Sequence, residues 1–171
     1  SPDKMCISKS HFEVKVLYRA ACCLALLSSQ AAFSQERVRI LEGDEGEAYL
    51  MQAAQVQGKI VRVSLDKAEL CFVDSGDCHP VLVGKTTPKG RFKMTLVATD
   101  LKGYGGDVIG FHWTENFTFA LHRVWTERPA ERRLERLASP IISDRIMTNG
   151  CINVSDSIYE RLKQYVILEI E

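Results

Sequence analysis

From residue 60 onward the apolar side chains recur at every second position, and that period restricts the fold more than any other feature. Val61, Val63 and Leu65 alternate with Arg62 and Ser64. Leu70 and Phe72, then Val81-Leu82-Val83, then Phe92, Met94 and Leu96 supply further short apolar segments. A strand turns successive side chains to opposite faces, so this is the signature of half-buried strands rather than helices. The pattern continues from Gly103 to Leu121, broken by Gly103, Gly105, Gly106 and Gly110. It predicts a mainly β protein with few helices. A short helix fits residues 47–56. A second fits the stretch after Ser157, where Glu160 completes a capping box and Ile158, Leu162, Tyr165 and Val166 follow helical spacing. Ile167 to Ile170 reads as a last strand.

The 171 residues, 46% hydrophobic and 26% charged, suffice for one globular domain behind an N-terminal leader. In residues 1–34, Lys15 and Arg19 precede the apolar run Ala20 to Leu27, and Ala32-Phe33-Ser34 fits a small-residue cleavage site. A membrane-spanning helix needs about 20 apolar residues. The run is shorter, so it reads as a signal peptide, with residues 35–171 as the exported domain and no stable membrane span in the mature protein. A buried N-terminal helix is the alternative. The formal net charge is zero. Without the four basic and two acidic residues of 1–34, 18 basic side chains face 20 acidic ones, a net of −2. No basic field points to nucleic acid.

Export changes the meaning of the six cysteines. Cys6, Cys22 and Cys23 fall within the leader, which leaves Cys71, Cys78 and Cys151. Asp74-Ser75-Gly76-Asp77 is a turn signal between apolar arms, so Cys71 and Cys78 can meet across a hairpin and be oxidised outside the cytoplasm. Metal binding by these two with His79 lacks a convincing fourth ligand. One thiol, Cys151, then remains.

That thiol lies in Met147-Thr148-Asn149-Gly150-Cys151-Ile152-Asn153-Val154. Gly150 allows positive φ or close backbone approach, and Ile152 and Val154 alternate with Asn153 as on a strand. A nucleophilic cysteine needs a base, and the N–H groups of a Gly-Cys turn can face a developing oxyanion. A buried cysteine that merely fills space is the competing reading.

Thr148-Asn149-Gly150-Cys151-Ile152-Asn153 resembles the signature of the L,D-transpeptidase (YkuD-type) catalytic domain family. There a Ser or Thr, usually His, then Gly-Cys and a downstream Asn or Arg surround the nucleophile. Asn149 departs from the usual histidine. A second segment, Gly84-Lys85-Thr86-Thr87-Pro88-Lys89-Gly90-Arg91-Phe92, is similar to the family's Gly-(x)n-Thr-Pro-x-Gly-x-Phe stretch. Its Gly84-Lys85 lacks the spacing and following helix of a phosphate loop. The resemblance covers roughly Lys59 to Glu171. It implies a β-sandwich or barrel with a few short helices, one of them after the catalytic cysteine.

The resemblance implies that Cys151 is the nucleophile and that His122, after the apolar strand Phe117 to Leu121, is the base. His122 stands 29 residues before Cys151, further than the family's usual spacing. His79 beside the hairpin and His112 in Gly110-Phe111-His112-Trp113 are the remaining histidines outside the leader. Arg123 is a candidate by position to orient the imidazole. Asn149 and Gly150 belong to the turn and oxyanion site, and Thr148, Asn153 and Arg145 are candidate substrate contacts. The implied partner is a peptidoglycan stem peptide in a bacterial periplasm or outside the cell, with no metal or organic cofactor. A hydrolase acting as an L,D-carboxypeptidase on the same bond shares every motif, and a non-catalytic wall-binding module is the third reading.

The longer spacing originates in residues 126–139. Pro129 suits the first position of a helix, and Leu134 and Leu137 would share one side of it. Arg128, Arg132 and Arg136 recur every four residues beside Glu127, Glu131 and Glu135. On a continuous helix this makes either a solvated charged face or a lid whose arginines meet substrate carboxylates.

Overall fold

The computed structural model describes residues 59–171, together with Ala48, Tyr49, Gln52 and Ala53 ahead of them. Those four are helical and fall within the helix expected over 47–56. The rest of that segment and the expected leader, 1–34, lie outside the described residues.

Eleven short strands dominate the described residues: β1 (Ile60–Ser64), β2 (Glu69–Phe72), β3 (Cys78–Pro80), β4 (Val83–Gly84), β5 (Gly90–Lys93), β6 (Thr95–Ala98), β7 (Asp107–Trp113), β8 (Thr118–Arg123), β9 (Ile146–Thr148), β10 (Ile152–Val154) and β11 (Ile167–Ile170). Two α-helices accompany them, α1 (Arg133–Ala138) and α2 (Asp156–Leu162), the second following Cys151 as expected. The architecture is mainly β.

One sheet has the order β3-β2-β1-β11-β5 and the other β10-β8-β7-β6, while β4 and β9 form a small parallel pair. Val61, Val63, Leu70, Phe72 and Leu168 of the first sheet share a core with Ile109, Leu121, Ile152 and Val154 of the second. Fully burying each such aliphatic side chain is worth about 1.5–3 kcal/mol, so the alternation read from the sequence is also the main source of cohesion. Tyr159 and Leu162 bring α2 onto the same core.

Three local expectations resolve differently. Phe92, Met94 and Leu96 do not share a strand: Met94 is buried and donates its N–H to the Val166 carbonyl at 2.8 Å, and there the chain passes from β5 in one sheet to β6 in the other. The capping box at Ser157 and Glu160 does not form. The helix starts at Asp156 with Ser155 as N-cap, and Glu160 instead binds Arg123 and Lys163. The expected helix within 126–139 is broken at Arg132, whose φ of 51° is left-handed, into a 3-10 turn (Pro129–Glu131) and α1.

Cys71 and Cys78 are directly paired residues of β2 and β3, and they are joined by a disulfide with a Cα–Cα distance of 4.0 Å. The bond ties down an edge strand of three residues that ends in Pro80, and such a short, proline-ended edge offers little template for pairing with another chain.

Candidate active site

The second sheet has two different faces. On β8, Leu121 points into the core while Ala120 and His122 face the other way; on β10, Ile152 and Val154 point inward while Cys151, just ahead of the strand, and Asn153 face outward. The strands run parallel with Asn153 opposite His122 and Ile152 opposite Leu121. Strand periodicity therefore brings three residues, far apart in sequence, onto one face.

Tyr104 from the glycine-rich loop covers that face, packing the edge of its ring on the His122 imidazole at a centroid distance of 4.8 Å. His122 and Cys151 both line the cleft beneath it, with Trp125, Thr148 and Asn149. The Cys151 thiol is 3% exposed and turns toward the Thr118 carbonyl at 3.8 Å, a weak interaction.

His122 is 2% exposed, and its Nδ1 lies 2.6 Å from the Arg123 carbonyl. A carbonyl can only accept, so Nδ1 carries the hydrogen and Nε2 keeps its lone pair. Asn153 Nδ2 approaches Nε2 at 3.4 Å. Burial pushes the imidazole pKa down to about 4, the Arg123 carbonyl opposes the shift, and the charge of Arg133 adds to it. At neutral pH the ring is an uncharged acceptor, as a general base must be.

This burial predicts an acid-labile contribution to stability. The folded value lies below the ordinary 6.5, so the unfolded chain binds a proton that the fold refuses. The contribution is fully present above pH 6.5 and is lost as pH falls through the window from 6.5 to about 4, amounting to ~3 kcal/mol. Denaturant unfolding at pH 7 and pH 4.5 should show His122→Gln losing about 2 kcal/mol less than the parent on acidification. Equal losses would refute it.

The Gly-Cys turn is held by three threonines. Thr86 Oγ1 donates to the Asn149 carbonyl at 2.7 Å, Thr87 Oγ1 to the Gly150 carbonyl at 2.9 Å, and Thr148 Oγ1 to the Cys151 carbonyl at 2.6 Å. A trans peptide holds its C=O and N–H antiparallel, so the Thr87 contact directs the Cys151 N–H away from Thr87. The Gly150 N–H donates to Thr148 Oγ1 at 3.2 Å. The two segments quoted from the sequence, 84–92 and 148–153, thus meet in space. Asn153 is fixed by paired backbone hydrogen bonds with Leu82, both 2.9 Å.

The other sequence candidates are dispersed. Arg145 is buried away from the cleft, its guanidinium on the carbonyls of Lys67, Ala68 and Ser139. Arg123 turns its side chain to Asp107 at 2.8 Å and Glu160 at 2.5 Å, so only its carbonyl reaches the site. His112 packs on Phe92 and Phe119, and His79 on Phe72. Of the three spaced arginines, Arg128 lines the cleft, Arg132 pairs with Glu135 in solvent, and Arg136 donates to the Asp144 carbonyl. The break at Arg132 removes the continuous helix that would have aligned them.

Arg133, Tyr104, Trp125, Thr86 and Thr87 belong to the site although no role followed from their sequence positions. Only the neighbouring glycines and the Thr-Pro turn signalled that loops would gather there.

No protein-family model and no curated protein matches the chain. Among solved structures it is similar to an L,D-transpeptidase (Yku) from Stackebrandtia nassauensis, with a TM-score of 0.42 and 18% identity over 66% of this chain and 54% of that one. It is also similar to Mycobacterium tuberculosis L,D-transpeptidase 1, with a TM-score of 0.36 and 14% identity over 65% of this chain and 57% of that one. The chain thus spans little more than half the length of either. Among the described residues no helix is long and apolar enough to cross a membrane.

Proposed function

We propose that the protein is a cysteine-dependent L,D-transpeptidase acting on peptidoglycan stem peptides. The observation that carries this reading is the common cleft of Cys151 and His122, with the imidazole neutral and its Nδ1 hydrogen committed to the Arg123 carbonyl. The sequence resemblance of segments 84–92 and 148–153 supports it independently.

In the reaction, Cys151 Sγ attacks the carbonyl of the amide between an L-centre and a D-centre while its proton passes to His122 Nε2. The uncharged imidazole offers its Nε2 lone pair to the thiol proton as the C–S bond forms. The Cys151 N–H stabilises the oxyanion. His122 returns the proton to the leaving amine, and a thioester remains. The amine of a second stem then attacks the thioester carbonyl, restoring the thiol and forming the new amide.

The Cys71–Cys78 bond suits an oxidising compartment, so the site of action is periplasmic or extracellular. Incubation with a stem tetrapeptide, alone and with an acceptor stem, tests the reading by product mass. Loss of the terminal residue with a crosslinked product is expected. A hydrolysed tripeptide alone would make the protein a carboxypeptidase, and unchanged tetrapeptide would leave a binding module.

A further inference from the structure

We propose that Arg133 forms a carboxylate subsite that selects acyl donors whose leaving residue ends in a free α-carboxylate. This rests on the transpeptidase reading for its substrate, but the subsite itself is tested separately below.

The charged groups on the cleft wall are Lys102, Arg128, Arg133 and Glu131; Lys102 reaches into solvent and pairs with Glu127 at 3.1 Å, so the two guanidiniums and Glu131 set the local charge. Glu131 is shared: its Oε2 accepts from Arg133 Nε at 2.6 Å, and its Oε1 lies 3.6 Å from Arg128 Nη1. Arg133 therefore shares its carboxylate partner with a second guanidinium. A guanidinium that shares its counter-ion retains attraction for a further anion.

Arg133 is the ordered member of the set. Its side chain is 14% exposed, its Nη1 donates to Asn153 Oδ1 at 2.9 Å, and its guanidinium stacks over the Trp125 ring at 5.2 Å. Those contacts commit Nε and Nη1, and the Nη2 hydrogens have no partner among the described residues. A guanidinium already held in place loses little conformational freedom when it binds an anion, and its planar fork matches a carboxylate.

The position relative to the base identifies which carboxylate. One side-chain amide, that of Asn153, touches both groups: Nδ2 lies 3.4 Å from His122 Nε2 and Oδ1 lies 2.9 Å from Arg133 Nη1. His122 protonates the amine of the leaving residue, and in an α-amino acid the carboxyl carbon is two bonds from that nitrogen. The cation beside the base therefore meets the carboxylate of the leaving residue. A donor extended beyond that residue carries a neutral amide there and forfeits the contact.

Alkylation of Cys151 tests the subsite without any peptide. Iodoacetate and iodoacetamide share a leaving group and differ in charge, and the rates at Cys151 are read by peptide mapping. Arg133→Gln should lower the iodoacetate-to-iodoacetamide rate ratio about 10-fold, as expected for one charge-assisted contact. Arg133→Lys should keep the ratio within about 3-fold of the parent, since the charge remains while the fork is lost. Arg132→Gln, in solvent beside Glu135, should leave it unchanged.

In turnover, the parent should prefer a tetrapeptide with a free terminus over its C-terminal amide by about 10- to 100-fold in kcat/KM, mostly through KM. The preference should shrink in Arg133→Gln. An unaltered alkylation ratio in folded Arg133→Gln would overturn the subsite, as would equal use of the free and amidated peptides by the parent. If no peptide is turned over but the ratio falls, the subsite stands and the transpeptidase reading fails.

Discussion

Cys151→Ala should leave no measurable thioester or turnover, and His122→Ala should lower kcat by about 10²–10⁴-fold, the range expected for loss of general-base help. The two losses differ in kind. Without Cys151 there is no atom to carry the acyl group, whereas without His122 the thiol remains and reacts slowly. Intact-mass measurement after mixing with a tetrapeptide separates them, because slow acylation in His122→Ala still yields the adduct on long incubation. His112→Ala and His79→Ala should keep most of the activity, since both rings pack on phenylalanines away from the cleft. Full activity in His122→Ala would remove the imidazole from the mechanism, and turnover by Cys151→Ala would remove the thiol.

The expectation that His122 serves Cys151 rests on the resemblance, while strand periodicity explains how the fold brings the two together. Alternation assigns faces, and once two strands are adjacent it decides which of their residues meet. Alternation does not say which strands are adjacent. The parallel pairing of β10 with β8 joins residues about 30 positions apart through an intervening helical segment, and β1 finds β11 across the whole described chain. Those pairings depend on the shared core, a property of the assembled sheets.

The segment between the two residues was legible only in part. Its charges and its proline predicted a helix, and helical turns do form there, but the left-handed residue at Arg132 could not be anticipated because arginine has no preference for that conformation. The consequence is large: the arginine at the base is Arg133, one position out of the expected register, while Arg132 points to solvent. Leu134, expected to pack beside Leu137, is likewise exposed. Arg145 was misplaced for another reason. A candidate substrate contact in the sequence, it instead satisfies buried carbonyls at the ends of loops with its guanidinium, which is engaged by three of them.

The turn that presents Cys151 should be intolerant of a single methyl group. Gly84 lies against it so closely that a Cβ would stand 2.3 Å from the Thr148 carbonyl oxygen and 2.4 Å from the Gly150 nitrogen, both backbone atoms that cannot swing aside. Gly150 itself has φ of +121°, and a Cβ there would meet the Phe119 ring at 2.6 Å. Gly84→Ala must therefore push the two segments apart, stretching the Thr87–Gly150 bond and moving the Cys151 N–H. Displacement of about 1 Å at a catalytic centre costs on the order of 10²-fold in rate. Gly84→Ala and Gly150→Ala should each lower kcat by at least about that factor, with a stability loss of roughly 1–3 kcal/mol from overpacking or strain. Gly76→Ala separates the two effects. Its φ of +77° carries similar backbone strain, but nothing lies within 4 Å of the added carbon, and it sits in the hairpin turn between β2 and β3. It should lose stability while keeping kcat at temperatures where it stays folded. If Gly84→Ala retains parental kcat when folded, the threonine-held turn does not position the reacting groups.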